Sequence, residues 1–188
     1  MTPLDRDILE APSGYRSRDV ALFLAQLDDQ NRRLIRDLDG ITPRELAWQP
    51  APGMNTIGML LAHIAIVEAF WVQIGLVVAP FDCPAVLGIG EDDDGMPLAD
   101  AGTPPAALAG KDASFYLGLL ERARAHTKKQ TAGLEEADLA QMVRRRRRNG
   151  AEEEFNKRWV LYHVLEHEAG HYGQILLLRH HYRTSSRA

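Results

Sequence analysis

Apolar residues recur at helical spacing in four stretches of the chain. Val20, Leu24, Leu27, Leu34 and Leu38 fall three, four and seven apart. This predicts an amphipathic helix from about Arg18 to Leu38, with Gly40 as its stop signal. Thr56, Met59, Leu60, His63, Val67, Phe70 and Ile74 share one face at ~100° per residue. They predict a second helix that starts at Asn55 or Thr56, either of which can cap it, and ends near Leu76. A third helix is expected from Asp112 to Gly133, with Ala113, Tyr116, Leu117, Leu120 and Ala123 inward. The fourth runs from about Lys157 to His180, with Val160, Val164, Ile175 and Leu178 along one arc.

The connections between these helices carry their own signals. Thr42-Pro43-Arg44-Glu45 resembles a capping box opening a short turn, and Trp48-Gln49-Pro50-Ala51-Pro52-Gly53 reads as a rigid connector. The stretch from Val77 to Gly110 contains Pro80, Pro84, Pro97, Pro104, Pro105 and the acidic run Glu91 to Asp94. It is longer than adjacent antiparallel helices need, and it suits a crossover between the two ends of a bundle. Asn149-Gly150 is a strong two-residue hairpin signal. Folding about it sets Arg147 opposite Glu152, Arg146 opposite Glu153 and Arg145 opposite Glu154, each pair worth about 0.2–1 kcal/mol. The arginine run therefore reads as neutralised by its neighbours rather than as a nucleic-acid surface. The expected architecture is all-α: one domain over residues 1–188, a four-helix bundle with a small hairpin before the last helix.

Composition narrows the class without naming a function. Hydrophobic content is 45% and charged content 26% over 188 residues, enough for one buried core. A net charge of -4 supplies no global field for nucleic acid or an anionic membrane. With Cys83 as the only cysteine, a disulfide framework or a multi-cysteine zinc site within one chain is ruled out. Met1 to Tyr15 is charged and does not read as a signal peptide. No apolar run is expected to approach the roughly 20 residues of a membrane span. A cytoplasmic protein is the resulting expectation.

The candidate chemistry lies in His163-Val164-Leu165-Glu166-His167-Glu168-Ala169-Gly170-His171. His167 and His171 stand about 40° apart on a helix and share the arc that faces the core. His163 lies on the flank of that arc, a candidate ligand whose angle suits a rim or outer group better. His63 sits in the stripe of the second helix. Two imidazoles one turn apart and a third from another helix can make a three-histidine metal site. Imidazole suits zinc, nickel, copper and iron(II), and three ligands leave positions open for reaction. A lone histidine on an apolar face is more often a hydrogen-bonded core residue, and that reading is strongest for His63 taken alone. It weakens for His167 and His171, because burying two unpartnered imidazoles together is costly.

Other readings are less productive. His126, among Arg124, Lys128 and Lys129, reads as solvent-facing, and His180 and His181 as cations that help end the last helix. Cys83 reads as a buried structural cysteine. His167-Glu168-x-x-His171 also spells a zinc-peptidase motif with Glu168 as base. However, no glutamate follows Glu168, the longer three-histidine spacing is absent, and no strand-rich segment exists to build a peptidase sheet. Neither Glu166 nor Glu168 is aimed at the metal, so no catalytic residue is assigned.

Two segments resemble a known family. Trp48-Gln49-Pro50-Ala51-Pro52-Gly53, Thr56-Ile57-Gly58, Leu60-Leu61, His63-Ile64-Ala65, Val67-Glu68 and Phe70-Trp71 are similar to the entry into the second helix of the DinB/YfiT-like superfamily. Trp159, His163, Glu166-His167-Glu168, His171 and Gly173-Gln174-Ile175 resemble its final helix. The resemblance implies an up-down-down-up bundle and, in many members, a dimer. It implies a divalent metal held by His63, His167 and His171. Relatives of known activity include transferases and isomerases that use mycothiol, bacillithiol or glutathione. Tyr172 departs from the pattern, since the family often has arginine there, and some relatives place glutamate at the position of His167. The resulting expectation is a metal-dependent enzyme acting on a small molecule. Its metal is zinc, nickel or iron, and it activates a low-molecular-weight thiol as a transferase or water as a hydrolase. The alternatives are a non-catalytic, stress-associated metal-binding protein and, third, a zinc peptidase.

Overall fold

Short polar side chains start the helices where the sequence supplies them. In the computed structural model, which describes residues 7–185, Ser17 accepts from the Val20 N–H and opens α1, Arg18–Asp37. Thr42 caps the one-turn α2, Pro43–Leu46. Thr56 accepts from the Met59 N–H and opens α3, Ile57–Trp71. A π-helical turn, Val72–Val77, continues α3 and ends at Val78, whose φ is 60°. Asp82 caps α4, Cys83–Leu87, and Asp112 caps α5, Ala113–Thr131. The short α6, Glu136–Leu139, leads into a hairpin of β1, Met142–Arg146, and β2, Glu152–Asn156. Asn156 then accepts from the Trp159 N–H at the start of α7, Lys157–Ser185. Residues 1–6 of the segment read as no signal peptide, and both extremes of the 1–188 domain, lie outside the described residues.

Among the described residues the protein is mostly helical, with one small sheet. Helix α3 packs against α5 and α7, and α1 packs against α7 and α5. The core has two parts. One gathers α3 with Leu34, Tyr116, Leu119, Leu120 and Ile175. The other joins Phe23, Leu24 and Leu27 of α1 to Val143, Phe155, Val160 and Val164. Gly75 lets Val160 come close: a Cβ there would lie 2.7 Å from a Val160 methyl. The connector after α3 is anchored by buried Leu87 and Leu108, and by Gly102, whose carbonyl accepts from Gly53 N–H and Gln49 Nε2.

Several expectations change. The stripe His63, Val67, Phe70 and Ile74 is the half-buried side of α3, whereas Ile57, Leu61, Ile64, Ala65, Glu68 and Ala69 are buried. Helix α3 is apolar nearly all round, so its periodic stripe marks the side facing a cleft. An apolar run of spanning length also exists. Ile57–Val77 covers 21 residues at mean hydropathy 1.9, and 61% of that window is buried inside the fold. Helix α7 passes through His180 and His181 to Ser185, because no glycine or proline stops it there.

The hairpin pairs one residue out of the expected register: Arg144 with Glu154, Arg145 with Glu153 and Arg146 with Glu152. Its loop has three residues rather than two. Gly150, at φ 86°, takes the left-handed position after a turn in which Arg147 O accepts from Gly150 N–H. The observed register sets Val143 opposite Phe155, both buried. The expected one would have set Phe155 against an arginine, and a one-residue slip turns an apolar face outward.

Candidate metal centre

Helices α3 and α7 bring His63, His167 and His171 together. The His167 Nε2 lies 3.1 Å from the Nε2 of His63 and 3.1 Å from that of His171. One nitrogen from each ring falls within 4.8 Å of the others. Two outer nitrogens are anchored. His63 Nδ1 meets Asp94 Oδ2 at 2.7 Å, and His171 Nδ1 meets Gln174 Oε1 at 3.0 Å. Asp94 is itself fixed, accepting from the Met96 N–H at 2.9 Å. Both oxygens act as acceptors, so each Nδ1 carries a proton, and in the neutral form of each ring Nε2 turns a lone pair inward. The one Nε2–H that a neutral His167 can offer satisfies only one of those lone pairs.

A cation resolves this geometry. Neutral imidazoles with Nε2 inward and an acceptor behind Nδ1 are the usual donor set of a histidine metal site. Burial pushes the His167 pKa down to about 3, helped by the neighbouring histidines. Burial lowers His171 as well, against its hydrogen bond to the Gln174 oxygen, which raises it. Both rings are therefore neutral and competent as ligands at pH 7. The residues present fit a divalent transition metal.

The other candidate residues go elsewhere. His163 stacks on Trp159, with ring centroids 4.7 Å apart and 6° between planes, and meets the edge of Trp71 at 5.0 Å. It lies outside the cluster, at 6.0 Å from the His167 ring, and lines the adjoining cleft. Glu168 turns away from the histidines. It is buried with Glu68, and Arg124 donates to Glu168 at 3.1 Å, to Glu68 at 2.9 Å and to Asp28 at 2.9 Å. Burial raises the Glu168 pKa to about 8, even though Arg124 pulls it down. Cys83 is buried, and burial first, then nearby carboxylates, push its thiol up to about 12. His126 is half-buried rather than solvent-facing, because the phase of α5 sets it beside buried Ala123 and Thr127. Its Nε2 is buried without a hydrogen-bond partner among the described residues, and burial lowers its pKa.

Sequence reasoning missed two features. Asp94 lay in the acidic run of the connector, and no spacing rule relates it to His63. The Glu68–Arg124–Glu168 cluster did carry a signal, since Glu68 is an isolated charge in an otherwise apolar helix.

A cleft of about 1060 Å³ opens beside the cluster and includes His63 and His163 in its lining. Trp71 and Trp159 form one side, and Arg145, Arg147 and Arg148 of the hairpin form another. Arg148 reaches across to Glu91 at 2.8 Å and Asp92 at 3.3 Å, joining hairpin to connector.

Comparison with curated proteins gives no match. Among solved structures, the chain is similar to the crystal structure of a conserved protein from Enterococcus faecalis, with 17% identity and a TM-score of 0.61. That likeness covers 84% of this chain and 93% of the other, and it shows the fold alone. The family model of the DinB superfamily matches residues 26–175, a span that holds all three clustered histidines. By that match, the chain belongs to the DinB superfamily.

Proposed function

We propose that this protein binds a divalent transition metal (zinc, nickel or iron) through His63, His167 and His171 and uses it in a reaction on a small molecule. The observation that carries this reading is the convergence of three Nε2 atoms, two of them on rings whose Nδ1 is held by Asp94 or Gln174. Bound there, the ion would supply Lewis acidity that lowers the pKa of a low-molecular-weight thiol, for a transferase, or of water, for a hydrolase.

The chain's own residues account for the rest. Asp94 and Gln174 orient two rings and strengthen them as donors. Trp71, Trp159 and His163 form an aromatic side of the cleft beside the cluster. In the same proposal α1, α3, α5 and α7 form a four-helix bundle of up-down-down-up order, and the protein works as a homodimer. A second reading, metal binding without catalysis, draws support from the acids around the site. Asp94 is engaged by His63, and Glu168 is buried on Arg124 away from the histidines, so neither is placed to act as a general base. The same engagement of Glu168 weighs against a peptidase.

Metal analysis tests the site. The purified protein should carry or take up one divalent ion per chain, and His63→Ala, His167→Ala and His171→Ala should each lose it. Full occupancy and unchanged affinity in all three variants would show the ligand assignment to be wrong.

A further inference from the structure

The geometry points to a ligand for the cleft beside the histidines: an uncharged molecule with a flat aromatic ring system. This deepens the proposed function by naming the substrate class of the same site. It rests on that reading only for the reaction, since binding can be measured without metal.

The ring system follows from the aromatic side of the cleft. Phe70, Trp71, Trp159 and His163 all line it. Trp71 stands edge to face with Phe70 at 5.9 Å, with Trp159 at 5.3 Å and with His163 at 5.0 Å. Rings meet in this way inside a packed core, but here the set is left open on one side. Trp159 is 37% exposed, and Phe70, Trp71 and His163 are half-buried. A flat ring continues the edge-to-face set and covers apolar surface that faces water, which a saturated ring of the same size does only in part. The volume of about 1060 Å³ admits a fused bicyclic system. His63 belongs both to this lining and to the histidine cluster, so a ring held here lies next to the candidate metal centre.

The lack of charge follows from the ion pairs of the lining. Four carboxylates and three guanidiniums face the cleft, and each already has a partner. Arg145 and Arg147 share the two oxygens of Glu153, and Arg148 holds Glu91 and Asp92. Asp94 is engaged by His63 and the Met96 N–H. A charged ligand therefore finds no unpaired counter-charge and must open an existing pair to gain one. Opening the Glu153 pair is costly, because that side chain is only 13% exposed and regains little water. A cation meets a further obstacle. The guanidinium of Arg145 already stands over Trp71 at 4.9 Å and over Phe70 at 5.2 Å, so it occupies ring faces that a cation would seek. An uncharged ring leaves every pair intact.

The test uses the full chain stripped of metal and calorimetric titration with four probes of similar size. They are 2-naphthylmethanol, its fully saturated counterpart, the anion 2-naphthoate and the cation 2-naphthylmethylammonium. Naphthylmethanol should bind saturably, one molecule per chain. Both ions should bind about tenfold more weakly, for want of a free partner. The saturated alcohol should bind about fivefold more weakly, for want of ring contacts. Trp159→Leu and Phe70→Leu should each weaken naphthylmethanol about fivefold and narrow its lead over the saturated alcohol. Thermal unfolding of each variant confirms that it is folded. Either ion binding as tightly as naphthylmethanol, a saturated ring that matches the aromatic one, no saturable binding, or unchanged affinity in both leucine variants would each overturn the inference. Zinc is titrated separately into the wild type. Failure to take up zinc would sink the metal reading and leave the probe results, all obtained without metal, standing.

Discussion

Asp94 Oδ2 lies 2.7 Å from Nδ1 of His63, so a residue of the long connector sets the orientation of a ring on α3. Asp94 is buried, and its second oxygen is held by the backbone at Met96. Asp94→Asn should therefore reduce metal affinity by about 10- to 100-fold, the usual effect of losing an outer partner of a histidine ligand. Competition against a chelator measures it, and an affinity equal to wild type would remove Asp94 from the site.

Arg124 holds two buried carboxylates from the two helices that carry the histidines, Glu68 on α3 and Glu168 on α7. Replacing it by leucine strands both acids in the interior. Arg124→Leu should lose about 3–5 kcal/mol in urea unfolding, as expected when a buried ion pair loses one partner. Glu168→Gln keeps a hydrogen-bond acceptor for Arg124 and should cost less. A leucine variant as stable as wild type would mean that the cluster is hydrated.

His126 makes a pH prediction. Burial holds its folded pKa below the ordinary value of 6.5. As pH falls below 6.5 the unfolded chain takes up the proton first, so stability is full above that value and is lost as pH falls toward the depressed folded pKa. His126→Gln should flatten part of this acid slope. Urea midpoints of metal-free wild type and variant between pH 7.5 and pH 5, a range of about 2.5 units around the ordinary histidine value, test it. Parallel slopes would contradict it.

Gly75 faces Val160, and an added Cβ would meet its methyls at 2.7 and 3.2 Å. Gly75→Ala should destabilise by about 1–3 kcal/mol through overpacking. Val160→Ala in the same chain should recover part of that loss, so the two changes should not add. Strict additivity would show that the contact is not the cause.

The helices and the histidine cluster were legible because both obey local rules. Ser17, Thr56 and Asp112 cap where a short polar residue precedes a periodic run, and one helical turn separates His167 from His171. Features that depend on three-dimensional packing were not legible. The stripe of His63, Val67 and Phe70 looks like a core face, and only the packing of α5 and α7 on the other sides of α3 turns it into the side of a cleft. The hairpin register was misread because Asn149-Gly150 allows both a two- and a three-residue loop. The buried pair Val143 and Phe155 decides between them. Arg124 is unremarkable among its charged neighbours until Glu68 and Glu168 converge on it.

The distance along the chain between His63 and His167, 104 positions, has a consequence for biosynthesis. A growing chain that has already made α3, the connector and Asp94 still holds only one of the three clustered rings. The pocket comes into being when the last helix emerges and docks, so its assembly is a late, long-range event in folding. A truncated product that ends before α7 keeps His63 and its aspartate but lacks both of the imidazoles that would complete the cluster.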